Sequence, residues 1–187
     1  EVGYVGPDNF TVTVADPYGG IVDKDIKIKV GIEGDIVFGT AGTDTLIGTD
    51  LGDLFISGDG DDTIEGGAGN DIADYRDTAN SVTVDLSQPT VTVADGGGTD
   101  TLIDVEGVFG TEFDDTLIGN GADNEFRAGD GNDLLAGGGG NNILNGGLGS
   151  DTADYSGATG VTVDLAAQTA VTAGGTHLVM EASSHAL

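Results

Sequence analysis

Two stretches of the chain repeat a nine-residue pattern in which a single hydrophobic position recurs at the eighth place. In residues 39–74 that place holds Leu46, Phe55, Ile64 and Ala73, and in residues 110–154 it holds Leu117, Phe126, Leu135, Leu144 and Ala153. The last three residues of each unit, such as "TLI" or "IAD", are long enough only for a minimal strand with the eighth side chain turned inward. One such unit buries almost nothing, so the pattern predicts an all-β solenoid in which stacked units share a thin core.

The first six places of a unit, as in "GGAGND" (66–71), are rich in glycine and end in Asp or Asn. Glycines permit positive φ and let successive backbone carbonyls turn toward one point. Carbonyl and carboxylate oxygens together suit Ca²⁺, which accepts six to eight oxygen ligands in irregular geometry, better than Mg²⁺, which demands an octahedron. The predicted side-chain ligands are Asp44, Asp53, Asp62, Asp71, Asp115, Asp133, Asp151, Asn124 and Asn142. The predicted backbone ligands are the carbonyls of the loops at Gly58, Gly60, Gly67, Gly69, Gly129, Gly131, Gly138, Gly140, Gly147 and Gly149.

If two units make one turn, each loop lies over the loop two units earlier. Asp44 then stacks with Asp62, and Asp53 with Asp71; in the second block an Asp row (115, 133, 151) faces an Asn row (124, 142). Two carboxylates about 5 Å apart repel by roughly 1–3 kcal/mol, which a thin core cannot absorb several times over. Several calcium ions between stacked loops are therefore expected, with weaker binding in the neutral Asn row. The early units "GTDLGD" and "GTEFDD" lack the fourth-place glycine and are expected to be caps with incomplete sites.

The segments around the two repeat blocks alternate apolar and polar residues, as half-buried strands do. Residues 35–75 form the first block of four units, 76–109 a spacer with strands such as "SVTVDL", and 110–154 a second block of five units. A degraded copy of the spacer and a tail follow at 155–187, and residues 1–34 carry a β-hairpin pattern. That hairpin resembles the last two strands of a cadherin-like or immunoglobulin-like sandwich domain. The predicted fold class is all-β: two short parallel β-roll blocks joined by β-hairpin spacers, plus the N-terminal hairpin.

A formal net charge of −28 excludes several partners and points to cations. Nucleic acid and anionic membrane surfaces would be repelled by it. The chain has no cysteine for disulfides, which leaves a metal as the means to stabilise so small a core. No apolar run is long enough to cross a bilayer.

Three other interpretations explain the sequence less well. A flexible acidic linker would leave the eighth-place hydrophobic residues unexplained. An EF-hand needs acids at alternate positions and flanking helices, and "DGDDTIE" (59–65) has neither. No nucleophile elbow, zinc-binding helix motif or phosphate loop is present, so we expect that the segment is not an enzyme.

The units resemble the RTX, or haemolysin-type calcium-binding, nonapeptide repeat Gly-Gly-x-Gly-x-Asp-x-hydrophobic-x. The resemblance implies a parallel β-roll with calcium in its loops and export into the extracellular medium or onto the cell surface through type I secretion machinery. It also implies a covalently linked cargo domain upstream. Calcium would then couple folding to export. Alternatively, the chain is the C-terminal part of a secreted hydrolase or a segment of a large RTX adhesin.

Overall fold

The computed structural model describes residues 34–88, 91–93, 98–157, 162–164, 169–172 and 174–181. The predicted N-terminal hairpin lies outside these residues. Every regular element in the described ranges is a β-strand. The strands are β1 (Ile36–Phe38), β2 (Thr45–Ile47), β3 (Leu54–Ile56), β4 (Thr63–Glu65), β5 (Ile72–Asp74), β6 (Thr83–Asp85), β7 (Val91–Val93), β8 (Gly98–Ile103), β9 (Gly107–Phe109), β10 (Thr116–Ile118), β11 (Glu125–Asp130), β12 (Leu134–Ala136), β13 (Ile143–Leu148), β14 (Thr152–Ala153), β15 (Thr162–Asp164), β16 (Thr169–Thr172) and β17 (Gly175–Glu181).

Successive units alternate between two sheets, which confirms the parallel β-roll. β3 pairs in parallel with β1 and β5, while the intervening β2 pairs in parallel with β4. Phe55 lies beside Ala73 in the first sheet, and Leu46 beside Ile64 in the second. Each register is two units long, so two units complete one turn, as the sequence predicts.

The core lies between the two sheets and consists mainly of the eighth-place side chains. Phe55, Ile64, Leu117 and Phe126 are fully buried. Their neighbours on either side along each strand face outward, because side chains alternate across a strand. Each unit therefore contributes mainly one apolar side chain to the core, and these side chains stack into a ladder one residue wide.

The spacer contains the predicted hairpins and also extends both sheets. β6 pairs antiparallel with β7, and β7 pairs antiparallel with β8. β8 also pairs in parallel with β4, β6 pairs in parallel with β10, and β9 lies between β5 and β11. Val84, Leu102 and Val108 join the core cluster. The two repeat blocks are thus joined through shared sheets as well as through the chain; the boundaries of the predicted segments remain a prediction.

The second spacer copy repeats this arrangement on the opposite sheet. β15, β16 and β17 pair antiparallel in sequence, and β17 pairs in parallel with β13. The strand equivalent to β17 in the first copy is β8, and each pairs with the penultimate unit of its block. Strand structure therefore continues beyond Leu165, where the sequence similarity between the copies fades. No helix capable of spanning a membrane occurs in the part of the chain that the structure describes.

Candidate metal-binding loops

The predicted loop glycines share a backbone conformation that other residues rarely adopt. All ten have positive φ, between 73° at Gly138 and 139° at Gly149. An L-residue with a Cβ is strained in this region. Glycine at the second and fourth places is therefore required by the path of the loop.

The loops also pack directly on the backbone of the preceding turn. A Cβ added to Gly131 would lie 2.6 Å from the carbonyl oxygen of Phe113, and one added to Gly69 would lie 2.5 Å from the amide nitrogen of Gly52. Such distances are far inside van der Waals contact. Close stacking of loop on loop brings backbone oxygens and sixth-place carboxylates into one narrow row.

The structure brings together every pair of sixth-place residues that the two-unit turn predicts. The amide of Asp44 donates to Oδ1 of Asp62 at 2.8 Å, and that of Asp53 donates to Oδ1 of Asp71 at 2.7 Å. In the second block the same contacts, at 2.8, 3.0 and 2.7 Å, join Asp115 to Asp133, Asp133 to Asp151 and Asn124 to Asn142. Each of these side-chain oxygens thus accepts the backbone N–H of the sixth-place residue one turn earlier. Whether these residues bind calcium remains a prediction.

Three of these carboxylates keep a buried second oxygen. Within the described ranges, Oδ2 of Asp62, Asp71 and Asp133 has no hydrogen-bond partner, and these residues are at most 2% exposed. Burial is the main cause that raises the pKa of Asp62 and Asp71 to about 6 and that of Asp133 to about 7. A backbone hydrogen bond opposes it in each case, nearby carboxylates add to it, and the Ser57 side chain lowers the pKa of Asp62 slightly. A buried oxygen that carries charge and lacks a donor fits a divalent cation.

Several other sixth-place residues are closed by their own units. The second oxygen of Asp44, Asp53 and Asp115 accepts hydrogen bonds from a threonine four residues earlier. Asn142 donates from Nδ2 to the carbonyl of Gly139 at 2.9 Å. The repeat therefore contains two kinds of loop, although its sequence period is uniform.

Sequence reasoning missed three acids that extend the rows of sixth-place residues. Asp35 donates its amide to Oδ1 of Asp53, Asp100 accepts the amide of Asp62 at 3.1 Å, and Glu106 accepts the amide of Asp71 at 3.0 Å. Two of them had a readable signal: "VGIEGDIVF" (30–38) and "DGGGTDTLI" (95–103) are nonapeptides with Asp at the sixth place. Glu106 had none, because its unit lacks the glycines.

Among the described residues, no group of three or more His, Cys, Asp or Glu side chains converges as a metal cluster would. In the sequence pattern each loop supplies one side-chain ligand, from the sixth place. The remaining oxygens available beside it are backbone carbonyls, which are hard ligands suited to calcium.

A profile of the RTX calcium-binding nonapeptide repeat matches the chain four times, over residues 31–50, 47–76, 109–141 and 118–153. These ranges contain all ten positive-φ glycines predicted from the pattern, and the first begins within the unit at 30–38. A comparison with curated proteins found no match.

Proposed function

Since the chain carries RTX calcium-binding nonapeptide repeats, we propose that calcium bound in its glycine loops drives the roll to fold once the protein is outside the cell. The observation that carries this proposal is the set of buried Oδ2 atoms of Asp62, Asp71 and Asp133 that lack a hydrogen-bond partner among the described residues. Folding removes each of these oxygens from water without supplying a donor in return.

The unfolded chain does not bear this cost, because its carboxylates remain in water. Leaving a buried charge unpaired is strongly unfavourable, and no lysine or arginine is paired with these three carboxylates in the described structure. A net charge of −28 adds general repulsion on compaction. A cation that binds only the folded loops therefore shifts the equilibrium toward the folded state.

Different residues of the unit contribute different features to the proposed calcium site. The sixth-place aspartates supply charge, and their other oxygen fixes them to the turn before through a backbone N–H. The positive-φ glycines remove the side chains that would block close approach of the loops. Calcium supplies the positive charge, and its tolerance of irregular geometry suits a site built from backbone.

This coupling would allow export before folding. In a cytosol with little free calcium the chain stays unfolded and can be carried through type I secretion machinery with a cargo domain upstream. Extracellular calcium-binding modules work at about 10⁻⁴–10⁻³ M, a range in which these loops would close after export. The segment then acts by binding calcium, and any catalysis belongs to the cargo.

Far-UV circular dichroism of the 187-residue chain, titrated with calcium chloride from chelator, tests the proposal. We expect little β-structure in chelator and a cooperative gain with calcium, with magnesium at the same concentrations as the control. A chain that shows its full β-signal in chelator would refute the proposal.

A further inference from the structure

The two kinds of loop differ at the second place of the unit. Three units carry threonine there: Thr40, Thr49 and Thr111. In each, the threonine amide donates to Oδ2 of the aspartate four residues later, at 2.7, 2.6 and 2.6 Å. The carboxylate is thus satisfied from within its own unit.

The threonine hydroxyl completes this closure. It donates to Asp44 at 2.8 Å, to Asp53 at 3.1 Å and to Asp115 at 2.9 Å. The same hydroxyl accepts the amide two residues further on, at 3.3, 3.2 and 3.0 Å respectively. One side chain therefore fixes both the turn and the acid, and the arrangement occurs three times.

Units with glycine at the second place cannot close in this way. Gly58, Gly67 and Gly129 have φ of 87°, 99° and 117°, and their units are the ones whose aspartate keeps an unpartnered Oδ2. A β-branched residue such as threonine does not adopt positive φ without strain. The only described non-glycine residue with positive φ is Asp104. The residue at the second place thus separates the units closed by threonine from the units whose aspartate keeps an unpartnered Oδ2.

The closed loops have a regular place in the chain. Units 39–47 and 48–56 are closed by threonine, and so is unit 110–118. In unit 119–127 the amide of Asn120 donates to Oδ1 of Asn124 at 3.1 Å, and Oδ1 of Asn120 accepts the amide of Ala122 at 2.8 Å, in the same pattern. Two units make one turn, so residues 39–56 and 110–127 each form one closed turn, and the units with an unpartnered Oδ2 follow it in each block.

We propose that threonine at the second place substitutes for calcium, so that the first turn of each block binds none through Asp44, Asp53 or Asp115 and calcium is confined to the glycine units. This inference rests on the proposed function, and it narrows the set of ligands that the sequence pattern predicts. The closed turn is a metal-independent template on which the glycine loops stack when calcium arrives.

The first test compares the same substitution in a closed and an open unit of the full chain. Asp133→Asn should remove at least one bound calcium ion or raise the calcium midpoint about tenfold, because ligand charge sets the affinity of such sites. Asp115→Asn should leave both the number of ions and the midpoint within about twofold of the parent. Isothermal titration with calcium chloride gives the number, and circular dichroism gives the midpoint. Equal losses in the two variants would overturn the inference.

The second test converts a closed loop into an open one. The unit at 39–47 is suited to this test, because Gly42 already occupies its fourth place. Thr40→Gly should bind one more calcium ion than the parent and depend more steeply on calcium, whereas Thr40→Ser, which keeps the hydroxyl, should bind the parental number. Thr45→Val in the same unit is the matched control, since Thr45 lies in the strand rather than the loop. Thr40→Gly with an unchanged ion count, or unable to fold in saturating calcium, would contradict the proposal that threonine takes the place of calcium.

These outcomes separate the inference from the proposed function. A parent chain that binds no calcium would remove both. A parent that folds on calcium, together with Asp115→Asn and Asp133→Asn variants that lose equally, would remove the inference alone.

Discussion

At the scale of single residues, the acids with an unpaired buried oxygen determine how the metal-free fold responds to protons. Asp62 and Asp71 have their pKa raised from 3.8 to about 6, and Asp133 to about 7, mainly through burial. The folded state therefore binds protons at a pH where the unfolded chain has released them. Protonation of these carboxyls therefore stabilises the metal-free folded state. This stabilisation is present in full below the pKa of the unfolded chain and is lost as pH rises through about 6 to 7.

Acidification should thus partly replace calcium. In calcium-depleted buffer we expect more β-structure at pH 5 than at pH 8, measured by far-UV circular dichroism. Depleted buffer is preferable to a chelator, whose own affinity falls in acid. Equal or smaller β-signal at pH 5 would contradict the prediction.

The two rows of the second block should differ in calcium affinity. Asp133→Ala removes a charged oxygen without a donor, whereas Asn142→Ala removes an amide that already donates to the carbonyl of Gly139. We expect Asp133→Ala to raise the calcium midpoint by about tenfold and Asn142→Ala by clearly less. Calcium titrations of both variants measure this, and equal shifts would show that the rows are equivalent.

At the scale of the unit, the loop glycines should differ sharply in their tolerance of a methyl group. Gly131 has φ of 128° and would place a Cβ 2.6 Å from the Phe113 carbonyl, whereas Gly121 has no atom within 4 Å of such a Cβ. Gly131→Ala should destabilise the calcium-loaded roll by about 1–3 kcal/mol, because it combines backbone strain with a clash. Gly121→Ala is the control and should be nearly neutral. Urea unfolding in saturating calcium gives both values, and similar ones would argue against loop stacking.

Much of the structure of the unit could be predicted from the sequence, because the same weak pattern recurs in every unit. The eighth-place ladder located β2 to β5 correctly, although a segment such as "TLI" alone would carry little information. The pairing of β8 with β4 was missed, since it joins residues 38 apart across an irregular spacer. The threonine closures were also missed. They depend on the backbone conformation at the second place of the unit, and a pattern of apolar and polar residues does not predict that conformation.

At the scale of the whole molecule, the number of units in a block decides which sheet receives the spacer that follows. The spacer strand pairs with the penultimate unit, in the second sheet after four units and in the first sheet after five. Removal of unit 137–145 should therefore move β15–β17 to the second sheet without unfolding the roll.

Introduced cysteines can report this move, because the chain has none of its own. Leu178 in β17 pairs in register with Ile143 in β13. The residue at the same place of the preceding unit is Leu134 in β12. With Leu134→Cys and Leu178→Cys, oxidation in calcium should cross-link the shortened chain and leave the full-length chain open. Cross-linking of both, or of neither, would show that the spacer does not follow the unit count.

Because successive units alternate between two sheets, the number of units in a block sets the direction in which the chain leaves the roll. Two added units lengthen the roll by one strand spacing, about 4.8 Å, and leave the direction of whatever follows unchanged. One added unit turns that direction to the opposite side. An insertion of nine residues therefore turns the parts of the chain on either side of it to opposite directions, while an insertion of eighteen residues only moves them apart.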